Sequence, residues 1–377
     1  MTANPPPQAT PSRTSDDERW MTRALQLAAK GEGSVEPNPM VGCVIVKDGQ
    51  VVGEGYHAKF GGPHAERAAF ASVADKQAIA GATWYVTLEP CCHTGKTPPC
   101  TDIILQSAPA RVVVAMRDPF PKVDGGGLRL LSAAGIQTDC GILESDAQNL
   151  NQPYLIRLQQ KRPWVIAKWA MTLDGKIATK ERHSQWISGP ESRADVHTTR
   201  GRCDAVIVGG GTASKDDPTL TARPPGPRIP TRIVISKSGR LKLESKLVQT
   251  IDEGPVWLFT AADGNVINAL ADAGVTICPI PGNSPTEDLQ SALIKCGEAG
   301  MTNVLVEGGG ELLANFFAAD LIDECHVYIA PKLVGGTGAL GPIGGDGLAK
   351  IPSQGQFEYV RFETFGPDLK LVAKRKR

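Results

Sequence analysis

The chain has 377 residues, with 40 basic and 40 acidic side chains and a formal net charge of zero. Such a length is long for one domain and comfortable for two. Balanced charge points away from a nucleic-acid or acidic-membrane surface, and no apolar run reaches bilayer length, so a soluble protein is expected. The 9 cysteines form an odd, irregular set. They fit a reduced, cytoplasmic chain with some thiols on metal and the rest in apolar cores.

In chain order, residues 1–15 are Pro/Thr-rich and read as a disordered leader, not a secretory signal. Ser15 and Glu18 have the spacing of a capping box, opening a helix to about residue 30 with Met21, Ala24, Leu25 and Ala28 as its buried stripe. Residues 41–46 and 51–56 read as strands around Asp48-Gly49, a hairpin signal. A helix follows over about 64–74, and a strand over 83–88 delivers Glu89, Pro90 and Cys91 at its end. Residues 101–106 read as helical, 111–115 as extended and 128–134 as helical. This alternation predicts an α/β sandwich.

Between about 149 and 163 the pattern turns polar and rich in Gln, Lys and Arg, which places the domain boundary there. The expected division is a first domain over 16–150, a linker over 151–163 and a second domain over 164–377. Strands are predicted at 164–170, 205–208, 232–235, 256–259, 275–279 and 303–306, with helical patterns between several of them. Residues 223–230 read as a surface loop. The closing Lys374-Arg375-Lys376-Arg377 reads as a solvated tail.

The first chemical signal is Pro63-His64-Ala65-Glu66 followed by Glu89-Pro90-Cys91-Cys92-His93 and, after a Gly/Pro-rich insert, Cys100. One His, two thiolates and a free carboxylate are what a zinc-dependent base deaminase needs: three ligands, an open position for water and a Glu beside it. Residues two apart on a regular helix point to nearly opposite sides, so His64 and Glu66 share a site only where the helix begins. Thiolates near a helix start gain from its positive end. The expected set is one Zn2+ per chain on His64, Cys91 and Cys100, with Glu66 as the catalytic proton carrier. A closed structural zinc recruiting Cys92 or His93 is the competing reading, but it has no use for Glu66. His93 is open between a substrate contact and a plain loop role, and Cys43 reads as core.

The second half has no G-x-G-x-x-G, so a Rossmann domain is not expected. It has two glycine clusters at strand ends, Gly209-Gly210-Gly211-Thr212 and Gly308-Gly309-Gly310, the latter ahead of a helix at about 311–318. Bare amides at a helix start suit a pyrophosphate, with a tight turn as the alternative.

Several short patterns occur in a fixed order. They are Val41-Gly42-Cys43-Val44, Gly62-Pro63-His64-Ala65-Glu66, Leu88-Glu89-Pro90-Cys91, His93-Thr94-Gly95-Lys96-Thr97-Pro98-Pro99-Cys100, Lys168-Trp169-Ala170-Met171, Asp216-Asp217-Pro218 and Tyr328-Ile329-Ala330-Pro331-Lys332. Together they resemble the bifunctional riboflavin-biosynthesis deaminase–reductase family over nearly the whole chain from about residue 15. The resemblance implies a cytidine-deaminase-like α/β/α sandwich followed by a dihydrofolate-reductase-like α/β domain. It also implies zinc on His64, Cys91 and Cys100, with Glu66 as proton shuttle.

By the same resemblance Ala170, Trp186, Thr212, Asp216, Gly309, Gly310, Glu311, Leu312, Leu313, Ala314 and Asn315 line an NADPH site. Ser184, Arg200, Leu220, Arg223 and Glu307 line a substrate site, with Arg200 and Arg223 as forks for a ribose phosphate and surface salt bridges as their alternative. Lys168 and Glu307 are candidates for hydrogen-bonding the ribose, with structural pairing as the alternative.

Two departures stand out. Lys96 replaces the family's usual Arg, which keeps a cation but loses a bidentate grip. Ser236-Lys237 replaces a frequent Asp-Ser, and Lys237 near the cofactor's 2′-phosphate would favour NADPH. The implied activities are deamination of a diaminopyrimidine ribosyl phosphate and then reduction of its ribosyl group. The implied partners are small-molecule pyrimidine ribosyl phosphates, with no nucleic acid and no membrane, and a homodimer or higher assembly through the reductase half. A base or tRNA deaminase fused to an unrelated domain is the rival, and it predicts a short P-C-x-x-C and a basic face.

Overall fold

The computed structural model describes residues 15–95 and 98–376. The expected leader up to residue 14, and Lys96, lie outside the described residues. The chain divides into two compact units, Met1–Leu158 and Gln159–Arg377.

The first unit runs α1 (Ser15–Ala28), β1 (Gly42–Lys47), β2 (Gln50–Tyr56), α2 (Ala65–Ser72), β3 (Thr83–Val86), α3 (Cys100–Ser107), β4 (Arg111–Val114), α4 (Gly126–Ala133), β5 (Gln137–Cys140) and α5 (Glu144–Leu150); α6 (Gln152–Gln160) follows. The sheet order is β2-β1-β3-β4-β5. Strand β1 is antiparallel to β2 and β3, while β3, β4 and β5 are parallel. Its central strands are near-continuous apolar runs because both faces are covered. On one face Cys43, Trp84 and Val112 pack with Ala69, Ile104 and Leu131. On the other, Val44, Tyr85 and Val113 pack with Met21, Ala24 and Ala147. The predicted α/β sandwich is the observed architecture, and Cys43 is a core residue. In α1, Leu27 is buried with Met21, Ala24 and Ala28, whereas Leu25 is only half-buried.

The stretch read as a linker is helical. Its Gln/Arg-rich composition conceals α6, which buries Tyr154 and Ile156.

The second unit runs β6 (Trp164–Thr172), α7 (Pro190–Arg200), β7 (Ala205–Gly209), α8 (Gly210–Asp216), β8 (Thr231–Ile235), α9 (Lys246–Gln249), β9 (Val256–Thr260), α10 (Asn265–Asp272), β10 (Thr276–Pro279), α11 (Pro285–Glu298), β11 (Asn303–Val306), α12 (Gly310–Ala318), β12 (Glu324–Ala330), β13 (Phe357–Phe365) and β14 (Asp368–Arg375). The sheet order is β10-β9-β8-β7-β11-β6-β12-β14-β13. Strands β10 to β12 in that order are parallel, and the β13–β14 hairpin is antiparallel.

Strand β11 inserts between β6 and β7, so β7 and β11 lie side by side; β7 ends in Gly209 at the start of α8, and β11 reaches α12 through Glu307-Gly308-Gly309. A crevice where the strand order departs from chain order is where open α/β sheets bind ligands.

Of the closing basic residues, Lys374 and Arg375 are not a free tail, and Arg377 lies outside the described residues. Lys374 and Arg375 belong to β14, Lys374 lies 5.8 Å from the Trp164 ring centre, and Arg375 donates to the Ile322 carbonyl at 2.8 Å. Strand pairing and the Asp320 carboxylate, 2.6 Å from Arg375, give these cations partners that composition does not reveal.

Candidate active sites

In the first unit the two halves of the motif meet at two helix starts. His64 is extended (φ −71°, ψ 163°) immediately before α2, and Glu66 is buried in the first turn. Cys91 follows the end of β3, and Cys100 is the first residue of α3. His64 Nδ1 lies 3.5 Å from Cys91 Sγ and 3.3 Å from Cys100 Sγ. The Cys100 amide donates to Cys91 Sγ at 3.3 Å. All three donor atoms lie within 4.8 Å of one another.

A tetrahedral zinc with bonds of about 2.0–2.3 Å has ligand–ligand edges of about 3.3–3.8 Å. The nitrogen–sulfur separations therefore fit that metal. Cys92 and His93 are not part of the cluster. Cys92 Sγ approaches the Lys122 carbonyl, and the His93 ring lies against Phe120 with its Nδ1 buried and unpartnered.

A cavity of about 440 Å³ opens on this cluster, lined among others by Asn38, His57, Glu66, His93, Asp118 and Tyr154. A hydrogen bond from the Cys100 thiol, helped by His64 and opposed by burial, brings Cys91 down to about 4. The same bond and burial push Cys100 up. Burial, and then the Cys91 thiolate, raise Glu66 to about 6, where a carboxyl exchanges protons readily near neutral pH.

Sequence reasoning missed the supports of this site. His57 is buried, and burial lowers its pKa. Its Nδ1–H donates to the Pro63 carbonyl at 2.9 Å, leaving Nε2 to accept from Asn38 at 3.2 Å. This fixes the peptide that leads into His64. Glu89 accepts the amides of Asp118, Gly125 and Leu128 at 3.3, 2.9 and 3.1 Å. It thereby ties the Cys91 turn to α4. Tyr154 donates to Asp118 at 2.8 Å on the cavity wall. These partners lie far apart in the chain and carry no spacing signal.

In the second unit Gly209 and Gly309 occupy the positions just before α8 and α12. A Cβ on Gly309 would stand 3.6 Å from Thr212 Oγ1, so the two helix starts face each other. Unblocked amides there suit a pyrophosphate. Glu311 is exposed and Asn315 half-buried, whereas Leu312, Leu313 and Ala314 are buried and offer the site only their backbone. Ala170 is half-buried on β6; Ser184, Asp216 and Trp186 are exposed, and Arg193 lies over the Trp186 ring at 4.6 Å. Leu220 is buried. Ser236 abuts Gly210, where a Cβ would lie 2.6 Å from its Oγ, so the turn with exposed Lys237 borders the start of α8. Arg240, beside the same glycine, was not anticipated.

The Arg200 fork is spent on Glu307, with Nε and Nη2 at 2.6 and 3.0 Å. Lys168 Nζ approaches the same carboxylate at 3.9 Å. Burial alone would raise Glu307, but Arg200 and Lys168 outweigh it and hold the carboxyl at about 2. Burial also lowers Lys168, with Glu307 opposing. Arg223 is exposed, and its Nη1 donates to the Thr219 and Thr221 hydroxyls at 2.7 and 3.2 Å. Of the two predicted phosphate forks, Arg223 is therefore the one with open donors.

The cytidine and deoxycytidylate deaminase zinc-binding region matches residues 14–116, and the RibD C-terminal domain matches residues 163–371. Riboflavin biosynthesis protein RibD of Actinobacillus pleuropneumoniae is 41% identical over 360 residues, covering 95% of each chain. The chain belongs to the RibD family. The Escherichia coli RibD is 38% identical over 366 residues, covering 94% of this chain and 98% of its own. Among solved structures, Acinetobacter baumannii RibD (form 1) superposes with a TM-score of 0.82 at 36% identity, covering 96% of this chain and 99% of its own. A Thermotoga maritima diaminohydroxyphosphoribosylaminopyrimidine deaminase/5-amino-6-(5-phosphoribosylamino)uracil reductase gives the same TM-score, identity and coverage. As a RibD-family member, the chain is a bifunctional enzyme of riboflavin biosynthesis, a deaminase and a reductase. Its first domain is of the zinc-binding kind, and its reductase domain implies a nicotinamide cofactor.

Proposed function

We propose that the first domain, residues 16–150, deaminates 2,5-diamino-6-(5-phosphoribosylamino)pyrimidin-4(3H)-one. The second domain, residues 164–377, then reduces the ribosyl group of 5-amino-6-(5-phosphoribosylamino)uracil to ribityl with NADPH. The observation that carries this reading is the convergence of His64 Nδ1, Cys91 Sγ and Cys100 Sγ beside the buried Glu66 carboxyl.

His64, Cys91 and Cys100 would hold one Zn2+ per chain, which supplies a Lewis acid that activates water near neutral pH. Glu66 takes a proton from that water on its carboxylate and delivers one to the departing ammonia, so water and the amino-bearing carbon become a carbonyl and ammonia. His57 and Glu89 keep the two ligand-bearing turns in place. Asn38, His93, Asp118 and Arg157 are among the polar groups on the cavity wall that would meet the pyrimidine and its phosphate.

A nicotinamide bound in the second domain would supply the hydride that reduces C1′ of the opened sugar. Lys168 would give the accompanying proton, and Glu307 would accept from a ribose hydroxyl. Arg200 orients Glu307, while Arg223 with Thr219 and Thr221 receives the phosphate. Ser184 and Leu220 complete the substrate site. Ala170, Trp186, Thr212, Asp216 and the Gly309–Asn315 stretch form the NADPH site, with Lys237 beside the 2′-phosphate. The assembly is a cytoplasmic homodimer or larger, joined through the reductase half.

Ammonia release and NADPH oxidation, measured together on the diaminopyrimidine phosphate, test the pairing. The reading predicts equal amounts of each. Ammonia without NADPH oxidation would remove the reductase assignment.

A further inference from the structure

A buried ionic group in the second unit has no part in the chemistry described so far. Tyr328, on β12 between β6 and β14, stands in register with Ala170 of β6 and Lys370 of β14. Its hydroxyl donates to Asp195 Oδ2 at 2.5 Å, and Lys370 Nζ donates to the same oxygen at 2.6 Å. Tyr328 and Lys370 are both buried. Lys168 Nζ lies 5.7 Å from the centre of the Tyr328 ring, and Lys370 Nζ lies 5.4 Å from it.

Asp195 belongs to α7, the helix that ends in Arg200, and Arg200 grips Glu307. The start of α7 is pinned as well, because Asp368 accepts from the Gly189 amide and the Ser192 hydroxyl, each at 2.6 Å. Lys168 is thus held between a carboxylate and an aromatic face, and α7 anchors both. A buried ion pair of this kind contributes little net stability compared with apolar packing of equal volume. Its geometry and its charge are what an apolar replacement would lose.

We infer that Asp195, Tyr328 and Lys370 are positioning residues of the reductase half, which hold the Lys168 ammonium in place through α7 and balance the charge around it. The inference rests on the reading of Lys168 as proton donor. Glu307 and Arg200 are the charged groups that act on that ammonium directly, the Tyr328 ring and His326 stand beside it on β12, and Asp195 and Lys370 meet at the Tyr328 hydroxyl. Asp195 and Lys370 form an ion pair, so deleting either one leaves the other's charge uncompensated beside the Tyr328 ring that Lys168 also approaches. With Lys168 as the acid, reductase activity falls as the pH rises through its pKa. Asp195→Asn leaves the Lys370 cation and moves that alkaline limb down. Lys370→Met leaves the Asp195 anion and moves it up. Each displacement should be about half a pH unit or more in this low-dielectric setting.

The test is the pH profile of kcat for NADPH oxidation on the phosphoribosylamino-uracil in the full chain, with ammonia release by the same preparations certifying that they are folded. Opposite displacements for Asp195→Asn and Lys370→Met, with the limb restored in Lys370→Arg, are expected. Tyr328→Phe, which keeps the ring but cuts its tie to α7, should lower kcat about tenfold with the KM for NADPH unchanged. If Asp195→Asn does not fold, the contrast between Lys370→Met and Lys370→Arg decides. Limbs that stay in place, or move the same way, overturn the inference. Lys168→Met separates the two levels: full reductase activity in that variant would remove the proton-donor reading itself. An inactive Lys168→Met beside unmoved limbs would remove only the positioning role.

Discussion

At the residue scale, Glu66 stands out because it is a buried carboxylate next to two sulfur donors that is not needed as a ligand. Burial and the Cys91 thiolate hold it near 6, where it can both take and give a proton near neutral pH. Glu66→Gln keeps the volume and removes the proton carrier. It should lower ammonia release by about 10²–10⁴-fold, with zinc content by metal analysis and NADPH oxidation on the uracil both unchanged; a loss of zinc instead would make Glu66 a structural residue. Glu307 sets a stability test in the second unit. Its carboxyl lies at about 2 when folded, against an ordinary 4.5. The folded chain therefore binds fewer protons than the unfolded chain between those values. The resulting stabilisation is fully present above about pH 4.5 and lost as the pH falls through about 2. It amounts to about 3 kcal/mol. Unfolding of wild type measured from pH 6 to 3 should lose stability more steeply than Glu307→Gln, and parallel curves would contradict the assignment.

At the scale of elements, the deaminase site is built where chain segments change from extended to helical. His64 precedes α2, Cys100 begins α3, and the Cys91 turn rests on the start of α4. That last contact is close enough that a Cβ on Gly127 would lie 2.1 Å from the Pro90 carbonyl oxygen. Gly127→Ala should therefore cost about 2 kcal/mol or more and lower zinc occupancy; a melting temperature and metal content equal to wild type would refute it. The elements also show what the sequence made legible. His64, Glu66, Cys91 and Cys100 could be read because each lies in a short motif with a fixed chemical purpose. The strands β1, β3, β4, β7 and β8 could be read because burial on both faces leaves unbroken apolar runs. Helix α6 was hidden because most of its surface is polar, and β13 because it is largely exposed and mixes charged with apolar residues. Arg200 was read as a phosphate fork with ion pairing as the alternative, but that Glu307 would be its partner was not legible. The two are 107 residues apart, and only the neighbouring positions of α7 and β11 bring them together. The same holds for Tyr328 and Asp195, separated by 133 residues.

At the scale of the whole molecule, the account describes two chemistries on two separately packed units. The candidate ligands His64, Cys91 and Cys100 belong entirely to the first, and the facing glycine turns belong entirely to the second. Stripping the metal with a chelator should therefore abolish ammonia release while leaving NADPH oxidation on the supplied uracil largely intact. Loss of both activities together would tie the reductase to the metal. The central claim is that the two units act in a fixed order, deamination and then reduction. Its most direct test is NADPH oxidation by zinc-loaded wild type and Glu66→Ala, each given first the diaminopyrimidine phosphate and then the deaminated uracil. The account predicts that wild type oxidises NADPH with both compounds and Glu66→Ala only with the uracil. Oxidation by Glu66→Ala on the diaminopyrimidine at the wild-type rate would contradict it.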